Sequence, residues 1–295
     1  MKYIFYFFRR VGKSLGCLLL LLTLLIEGWL IIGVRINSDP PVVREYIIES
    51  EKIDSAVNIV MLSDLHGCEY GEGNSELIAQ IEALEPDLIL FCGDMINHKH
   101  ETGEDVLVIS ELTKTLTLIA PVYYSLGNHE LERIGLHEYD AVKRIVAEGA
   151  ILLERDYVDL DIRGNKIRLG GLYTPNGAET AKPSADTVNN FLEDFCNTDS
   201  FRLLLEHRPA SFTDAIYPAG FEPDLVLAGH LHGGHVNLPF LGPVYGANSG
   251  FFPKYALGKY ELGNSSLIVS AGLSTERHII PRVNNPTEIT KIVLE

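Results

Sequence analysis

Residues 58–66 read Asn-Ile-Val-Met-Leu-Ser-Asp-Leu-His. The four consecutive apolar residues 59–62 have the length of a short buried strand. This run ends at Asp64 and His66, whose side chains are both common metal ligands. Because alternate side chains of a strand face the same side, we predict that Asp64 and His66 point to one place just beyond the strand. An Asp-x-His pair alone is more often an ordinary polar strand end than half of a metal site.

The same pattern, an apolar run that closes on polar residues, recurs four more times along the chain. These runs predict strands over 87–92, 122–126, 202–205 and 225–227. The polar residues that follow them are Asp94, Asn128, His129, His207, His230 and His232. Open α/β sheets place their sites beyond the carboxyl ends of the strands, so we expect these side chains to converge. Such mixed oxygen and nitrogen ligands suit Mn, Fe, Zn or Co, and they outnumber what one ion accepts, which favours a two-ion centre.

The segments between these runs carry helix and hairpin signals. Helices are predicted over 75–84, 105–119 and 138–148. Further strands are predicted over 42–48, 157–162, 166–169, 266–270 and 287–294. The first of these strands is expected at a sheet edge. The alternation of strands and helices indicates an α/β architecture.

The overall composition is that of a globular protein. The 295 residues are 46% hydrophobic and 22% charged, and they show no repeat, which favours one large domain. Beyond residue 35 the chain carries 19 basic against 39 acidic side chains, a net charge of −20. This balance argues against nucleic acid as a partner, because phosphate-backbone binding needs clustered Lys and Arg. Phosphorylated small molecules remain possible substrates, since bound cations can supply local positive charge. The four cysteines show no paired spacing, which excludes a zinc ribbon and argues against a disulfide framework.

The N-terminal residues have the pattern of a membrane anchor. Residues 1–14 hold four basic side chains and no acidic one, and residues 15–34 hold a single charge, Glu27. A helix of that length spans the ~30 Å hydrocarbon core, and its basic flank stays in the cytoplasm. We therefore predict an uncleaved, single-pass signal anchor in the cell membrane, with the following domain on the extracytoplasmic side. A cleaved signal peptide and a twin-arginine signal at Arg9-Arg10 are the alternatives, although no small-x-small cleavage site is evident. The predicted organisation is a basic cytoplasmic N-terminus (1–14), a transmembrane segment (15–34), a tether with an edge strand (35–56) and one domain (57–295).

The polar motifs together resemble a known family. They are Asp64-Leu-His66, Gly93-Asp94, Gly127-Asn128-His129-Glu130, His207 and Gly229-His230-Leu231-His232. In order and spacing they resemble the calcineurin-like metallophosphoesterase superfamily from about residue 57 to 235. The tail over 272–289 is similar to a bacterial membrane-associated branch that includes UDP-2,3-diacylglucosamine pyrophosphatases. The resemblance implies a four-layer αββα sandwich of two mixed sheets flanked by helices, here preceded by the predicted transmembrane helix. It also implies a metal-dependent hydrolase acting on phosphoester or pyrophosphate bonds.

The resemblance further implies a role for each site residue. The first metal ion would take Asp64, His66, Asp94 and His232, and the second would take Asp94, Asn128, His207 and His230. Asp94 would bridge the two ions, and a hydroxide between them would attack phosphorus in line. His129 would bind no metal but would hydrogen-bond the phosphoryl group and help protonate the leaving oxygen. In some relatives an aspartate three residues after the bridging one orients that histidine. Asn97 stands there in this chain, and it can hydrogen-bond but cannot hold an imidazolium by charge.

Two functions are open at this level. One is a membrane-anchored enzyme with two divalent ions (Mn, Fe, Zn or Co) that hydrolyses a phosphorylated small molecule or a lipid-linked, cell-envelope substrate. The other is a catalytically inactive domain that keeps its metals and binds or senses a phosphorylated ligand. The full set of ligand residues together with His129 favours the enzyme. Residues 173–182 and 239–252, rich in Gly, Pro and aromatic residues, are either substrate loops or plain surface loops.

Overall fold

The computed structural model of the chain describes most of the predicted domain and little of the N-terminus. The described residues are 20–21, 23–24, 27–29, 33, 40–97, 103–135, 139–173, 185–246, 249–275 and 281–295. The predicted N-terminus (1–14) and most of the predicted transmembrane segment (15–34) lie outside these residues. Within the described ranges, the helices are too short or too polar to cross a bilayer. The anchor and the domain boundaries therefore stay predictions.

The described residues form fifteen strands and six α-helices. In chain order the strands are β1 (Val42–Ile48), β2 (Val57–Leu62), β3 (Leu88–Cys92), β4 (Val122–Ser125), β5 (Ile151–Leu152), β6 (Asp156–Ile162), β7 (Asn165–Leu172), β8 (Phe201–Glu206), β9 (Leu225–Ala228), β10 (Val236–Leu238), β11 (Gly242–Gly246), β12 (Gly250–Phe251), β13 (Gly258–Leu262), β14 (Ser265–Val269) and β15 (Glu288–Leu294). The helices are α1 (Ser75–Glu82), α2 (Glu104–Leu116), α3 (Asn128–Gly135), α4 (Tyr139–Ala147), α5 (Ala185–Cys196) and the short α6 (Pro209–Ser211). A 3-10 turn (Glu72–Asn74) precedes α1, and a π-helical turn (Phe212–Ile216) follows α6.

The strands pair into two six-stranded mixed sheets and one small sheet. The first sheet has the order β1-β15-β2-β3-β4-β5, and the second has the order β13-β14-β9-β8-β7-β6. In the first, β2, β3 and β4 run parallel to one another, and in the second β7, β8 and β9 do so. The three-stranded small sheet has the order β10-β11-β12. The strands that carry the predicted ligands thus end at a common edge within each large sheet.

Three apolar cores show how these sheets and helices stack. Val60 and Leu62 of β2 pack against the helices of the first sheet, whereas Ile59 and Met61, on the other face, pack against the second sheet. On β8 the alternation continues, because its odd-numbered leucines join the inter-sheet core while Leu204 joins a third core with α5. The period of two along each buried strand therefore produces the order helices, sheet, sheet, helices. Two mixed sheets flanked by helices are what the family resemblance implies.

Most predicted elements are present with ends shifted by one to three residues. Strand β1 lies at a sheet edge, as predicted. Three helices, α3, α5 and the short α6, were not predicted. Helix α3 begins at Asn128, one of the polar residues that follow β4. The sequence pattern assigns these residues to the end of a strand, so it gives no sign that a helix starts there. The prediction of loops over 239–252 is wrong in its described part, which contains β11 and β12, since their glycines and prolines mask the strand pairing.

Candidate metal centre

The polar residues that close the strands lie together in one cluster. Three groups within it have potential ligand atoms that all lie within 4.8 Å of one another. The groups are Asp64, His66 and His232; His66, Asp94 and His129; and Asp94, His207 and His230. Because Asp94 and His66 each belong to two groups, the three groups form a continuous arrangement of carboxylate and imidazole atoms.

The first pair, Asp64 and His66, is positioned by a turn. Strand β2 ends at Leu62, and both residues have a left-handed backbone with φ of 52°. The Asp64 N–H donates to Gly93 O at 3.0 Å, and the His66 N–H donates to Asp94 O at 3.1 Å. These two hydrogen bonds hold the turn after β2 against the turn after β3. This geometry, and not the side-chain alternation of a strand, brings the pair together, so that step of the sequence argument is wrong.

Left-handed backbone is common to this cluster. Asp94, His230 and His232 have φ of 51°, 69° and 48°. A residue with a Cβ in such a region costs on the order of 1–3 kcal/mol and persists only where its surroundings enforce it. Such residues cluster at functional sites because ligand positions constrain the chain more tightly than local preference does. Five strained residues in one cluster therefore mark it as a site rather than a set of ordinary loops.

Asp64 is fully buried and held by neighbouring donors. The Ser63 hydroxyl donates to Asp64 Oδ2 at 2.6 Å, and the His230 N–H lies 3.0 Å from Oδ1 and 3.1 Å from Oδ2. Burial raises the pKa of Asp64 to about 6, against the opposing effect of His207. Gly229 lies so close that a Cβ there would overlap Ser63 Oγ and Asp64 Oδ2. Only glycine allows the backbone after β9 to approach this carboxylate.

Asp94 lies between the two other parts of the cluster. The His129 N–H donates to Asp94 Oδ1 at 2.8 Å, and His207 Nε2 lies 3.1 Å from Asp94 Oδ2. Burial alone would raise the pKa of Asp94. The charge and hydrogen bond of His207, aided by His129 and His66, instead hold it well below its usual range. Asp94 is therefore a carboxylate and can be shared by cations on its two sides.

His207 has the tautomer that a metal ligand needs. Its Nδ1 lies 2.7 Å from the Cys92 carbonyl oxygen. A carbonyl can only accept, so Nδ1 carries the hydrogen and Nε2 faces Asp94. Burial lowers the pKa of His207, but Asp94 outweighs this effect and raises it to about 10. A cation at Nε2 would displace that proton, as metal binding to histidine generally does.

Asn128 and the last two histidines also fit a cation. Asn128 Oδ1 is buried and accepts no hydrogen bond within the part of the chain that the structure describes. Burial, followed by the charge of His207, lowers the pKa of His230 to about 3. Burial, followed by His66 and Arg282, lowers the pKa of His232 well below its usual range. A neutral imidazole and an amide oxygen that lacks a donor are both groups that a divalent cation can satisfy.

Glu130 supports the cluster from outside. It is fully buried and belongs to none of the three ligand groups. Its carboxylate accepts five hydrogen bonds, from the backbone N–H groups of Asp94, Met95, Ile96 and Gly127 and from the Tyr124 hydroxyl. These bonds tie the turn after β3 to the turn after β4. Glu130 therefore sets the distance between the backbone of Asp94 and that of Asn128.

The C-terminal tail supports the cluster in a way that sequence reasoning missed. The Asn285 side chain donates to His232 O at 2.7 Å, and Arg282 Nη2 donates to Ala271 O at 2.8 Å. Arg282 Nη2 also lies 3.4 Å from His232 Nδ1, and the His235 ring lies 5.9 Å from the His232 ring. The signal was present in the motifs around Pro281 and Pro286, but no spacing rule connects them to a ligand loop 50 residues earlier.

Asn97 lies against His66. His66 Nδ1 is 3.1 Å from Asn97 Oδ1, and the Asn97 amide donates to His66 O at 2.9 Å. Since the amide nitrogen is used toward that carbonyl, Oδ1 accepts from Nδ1–H and leaves His66 Nε2 as the ligand atom.

We expect Asn97→Ala to weaken Mn²⁺ binding by about 10–100-fold, the usual effect of removing a partner that orients a metal ligand. Titration of the metal-free protein with Mn²⁺ measures this. Asn97→Asp, which keeps an acceptor, serves as the matched control and should bind within about threefold of wild type. Equal affinity for the alanine variant and the wild type would show that Asn97 does not position His66.

Comparison with known proteins identifies a family model, several relatives and structures of similar fold. The family model described as Calcineurin-like phosphoesterase matches residues 57–234. The chain is 30% identical over 263 residues to the uncharacterized metallophosphoesterase YkuE of Bacillus subtilis, covering 85% of this chain and 84% of that protein. It is 29% identical over 261 residues to the uncharacterized metallophosphoesterase Cj0846 of Campylobacter jejuni, covering 85% of this chain and 63% of that protein. A crystal structure of the phosphopantetheinyl hydrolase PptH of Mycobacterium tuberculosis superposes with a TM-score of 0.46 and 15% identity, over 75% of this chain and 92% of that one.

Proposed function

Because this chain belongs to the calcineurin-like phosphoesterase family and is a phosphoester hydrolase, we propose that it works with two divalent cations at the cluster around Asp94. The observation that carries this proposal is the pair of ligand groups on either side of one carboxylate. Asp64, His66 and His232 form one group, and His207 and His230 form the other with Asp94 itself. Asp94 belongs to two of the ligand groups, one with His66 and His129 and one with His207 and His230, and His66 connects it to the group with Asp64 and His232. A buried carboxylate shared in this way suits two-metal hydrolysis.

Each cation would have its own set of ligands. The first would bind Asp64, His66, Asp94 and His232, and the second would bind Asp94, Asn128, His207 and His230. When bound, the two cations would neutralise the non-bridging phosphoryl oxygens and activate water for in-line attack. The cluster holds these ligands ready, since Ser63, Asn97 and the Cys92 carbonyl already orient Asp64, His66 and His207.

His129 is the residue that we assign to the leaving group. Its Nε2 lies 3.9 Å from Asp94 Oδ2, its ring meets the His66 ring edge-on at 4.4 Å, and its side chain is 20% exposed. It therefore stands at the open side of the cluster, where a phosphoryl group would enter. There it would hydrogen-bond the phosphoryl oxygen and pass a proton to the leaving oxygen. Asn97 bonds to His66, and the backbone N–H of His129 donates to Asp94 Oδ1, which holds the start of α3 beside the cluster.

Metal dependence is the direct test. We expect the full chain, purified in detergent, to hydrolyse bis-p-nitrophenyl phosphate or p-nitrophenyl phosphate with Mn²⁺ and to lose this activity after chelation. Hydrolysis should return when Mn²⁺ is restored, because the ligands come from several strands that stay folded. The release of p-nitrophenol measures it. A protein that binds two metal ions and phosphate but hydrolyses neither ester would instead be a phospho-ligand sensor.

The membrane anchor belongs to the same proposal. The basic residues 1–14 and the apolar residues 15–34 support a single-pass anchor with the hydrolase domain on the extracytoplasmic side of the cell membrane. The resemblance of residues 272–289 to a membrane-associated branch supports a lipid-linked or cell-envelope substrate, with an acylated nucleotide sugar as one candidate.

Topology can be measured in intact cells. The layers outside the cell membrane are first made permeable, while the cell membrane itself stays intact. We then expect an added protease that cannot cross the cell membrane to digest the hydrolase domain. A cytoplasmic marker protein serves as the control and should stay intact. Protection of the hydrolase domain together with that marker would place the domain in the cytoplasm and contradict the proposed orientation.

A further inference from the structure

The small sheet exposes large apolar side chains at one end. We call Phe240, Leu241, Phe251 and Phe252 the apolar tip; their exposed fractions are 107%, 69%, 77% and 67%. Phe240 and Leu241 form the turn between β10 and β11. The antiparallel register places Phe252 beside Val244 of β11, where its N–H donates to Val244 O at 3.0 Å, so β12 leads back toward that turn. A group of aromatic residues exposed to solvent marks a surface that contacts a protein, a membrane or a ligand.

The backbone holds these rings outward. Phe240 has φ of 67° and Phe252 has φ of 53°, a left-handed conformation that bulky residues rarely adopt. The turn that contains Phe240 is closed by the Leu241 N–H, which donates to Leu238 O at 3.2 Å. Strained backbone combined with exposed aromatic rings is unfavourable in water, and it persists where the rings have a function.

The charge of this segment differs from that of the rest of the chain. The chain carries 40 acidic residues among 295, yet residues 236–260 contain none. The charged residues of that segment are Lys254 and Lys259. Lys259 is paired with Glu261 at 3.1 Å, so Lys254 is the lysine that follows the tip in sequence. A surface with acidic groups would be repelled by phosphate headgroups, whereas exposed aromatic rings are typical of residues at a membrane interface.

The small sheet that carries the tip is connected both to the ligand loop and to a residue of the predicted anchor. A Cβ on Gly234, two residues after His232, would meet Pro243 Cβ at 2.8 Å, so the small sheet packs directly on the ligand loop. The eight residues from His232 to Phe240 span at most about 28 Å. On the other side, the Asn284 N–H donates to Gly33 O at 3.2 Å, and its side chain donates to Asn237 O of β10 at 3.5 Å. Gly33, a residue of the apolar run 15–34, therefore lies near the base of this sheet.

We propose that the apolar tip inserts into the surface of a lipid bilayer and presents the metal centre to the bilayer–water interface. The proposal rests on the proposed phosphoesterase function for one consequence only, the class of substrate. That class is an amphiphile whose phosphate lies at the level of the lipid headgroups. Because the tip is apolar and the chain is strongly acidic, insertion would depend on the aromatic rings and would change little with salt.

Fluorescence quenching tests the insertion. Trp29 is the single tryptophan of the chain, so Phe240→Trp is made in a Trp29→Phe background. The full chain is then placed in phosphatidylcholine vesicles. One set of vesicles contains lipids brominated near the headgroup, and the other does not. We expect bromine to lower the emission of this variant to about half or less, as for a ring buried ~5–10 Å deep. Leu118→Trp in the same background is the matched control. Leu118 is 86% exposed and lies between α2 and the start of β4, at the end of the sheet opposite the cluster, and its emission should change little.

An activity measurement separates this proposal from the proposed function. Phe240→Ser combined with Phe252→Ser should leave Mn²⁺-dependent hydrolysis of bis-p-nitrophenyl phosphate unchanged. The same variant should lower hydrolysis of hexadecyl p-nitrophenyl phosphate held in phosphatidylcholine vesicles by tenfold or more. If the wild type hydrolyses neither ester, the proposed function fails, but the quenching result still decides the insertion.

Three results would overturn the proposal. The first is equal quenching of the Phe240→Trp and Leu118→Trp variants. The second is a blue shift of the Phe240→Trp emission without lipid that grows with protein concentration, which would make a second copy of the chain the occupant. The third is an equal loss of soluble and vesicle-bound ester hydrolysis in a double serine variant whose melting temperature matches that of the wild type, which would place the rings in the site itself.

Discussion

Asp94→Asn should lower Mn²⁺-dependent hydrolysis of bis-p-nitrophenyl phosphate by about 10³-fold or more, since one lost transition-state contact alone costs about 10²–10³. Asp94 accepts from the His129 N–H through Oδ1 and faces His207 Nε2 through Oδ2. An amide of the same size keeps only one acceptor, and it carries no charge to share between two cations. The initial rate of p-nitrophenol release at saturating Mn²⁺ measures the effect.

Asp87→Asn is the matched control for this substitution. Asp87 directly precedes β3, at the end opposite Asp94, and it accepts from the Asn58 N–H at 2.9 Å and from Arg163 Nε at 2.9 Å. Activity of this control should stay within about twofold of wild type. If Asp94→Asn kept more than a tenth of the wild-type rate, Asp94 would not be the shared ligand, and the two-cation proposal would fail.

Glu130→Gln should lower the free energy of unfolding by about 3 kcal/mol or more, although Glu130 touches no proposed cation. One carboxylate oxygen accepts from the N–H groups of Asp94 and Gly127, and the other accepts from Met95, Ile96 and the Tyr124 hydroxyl. An amide NH₂ in either position faces at least two donors, and each buried unpaired donor costs about 1–3 kcal/mol. Urea denaturation of the metal-free protein measures the change. Mn²⁺ affinity should fall as well, because the turn that carries Asp94 would lose its support.

Glu132→Gln provides the comparison on the same helix. Glu132 lies two residues further along α3 and is exposed, so its replacement should change the stability by less than about 0.5 kcal/mol. Similar unfolding midpoints for the Glu130 and Glu132 variants would mean that the five hydrogen bonds of Glu130 contribute nothing to the position of the loops.

Most strands of the two large sheets and the residues that close them could be predicted because both depend on local patterns. The four apolar residues 59–62 have the length of a buried strand. The prediction stopped at the conformation of the turns. The left-handed backbone of Asp64 and His66 goes together with hydrogen bonds to the turn after β3, about 30 residues away, and the local sequence alone does not specify it.

The support of the cluster was harder to predict for the same reason. The importance of Glu130 follows from three chain segments that meet at one carboxylate, and Asn285 acts on a histidine 53 residues earlier. Long-range contacts of this kind leave no periodic signal in the sequence. The small sheet was missed because its glycines and prolines are typical of loops, and only pairing with β11 makes strands of them.

The left-handed turns also affect how this protein would lose its ligand residues during evolution. In a lineage that no longer needed hydrolysis, mutations to glycine at Asp64, His66, Asp94, His230 or His232 would relieve an unfavourable backbone conformation. Relief of the backbone would therefore offset part of the cost of losing these side chains, and relaxed selection should meet less resistance here than at other buried residues. A descendant that still carries aspartate and histidine there can be taken as one in which the chemistry is under active selection.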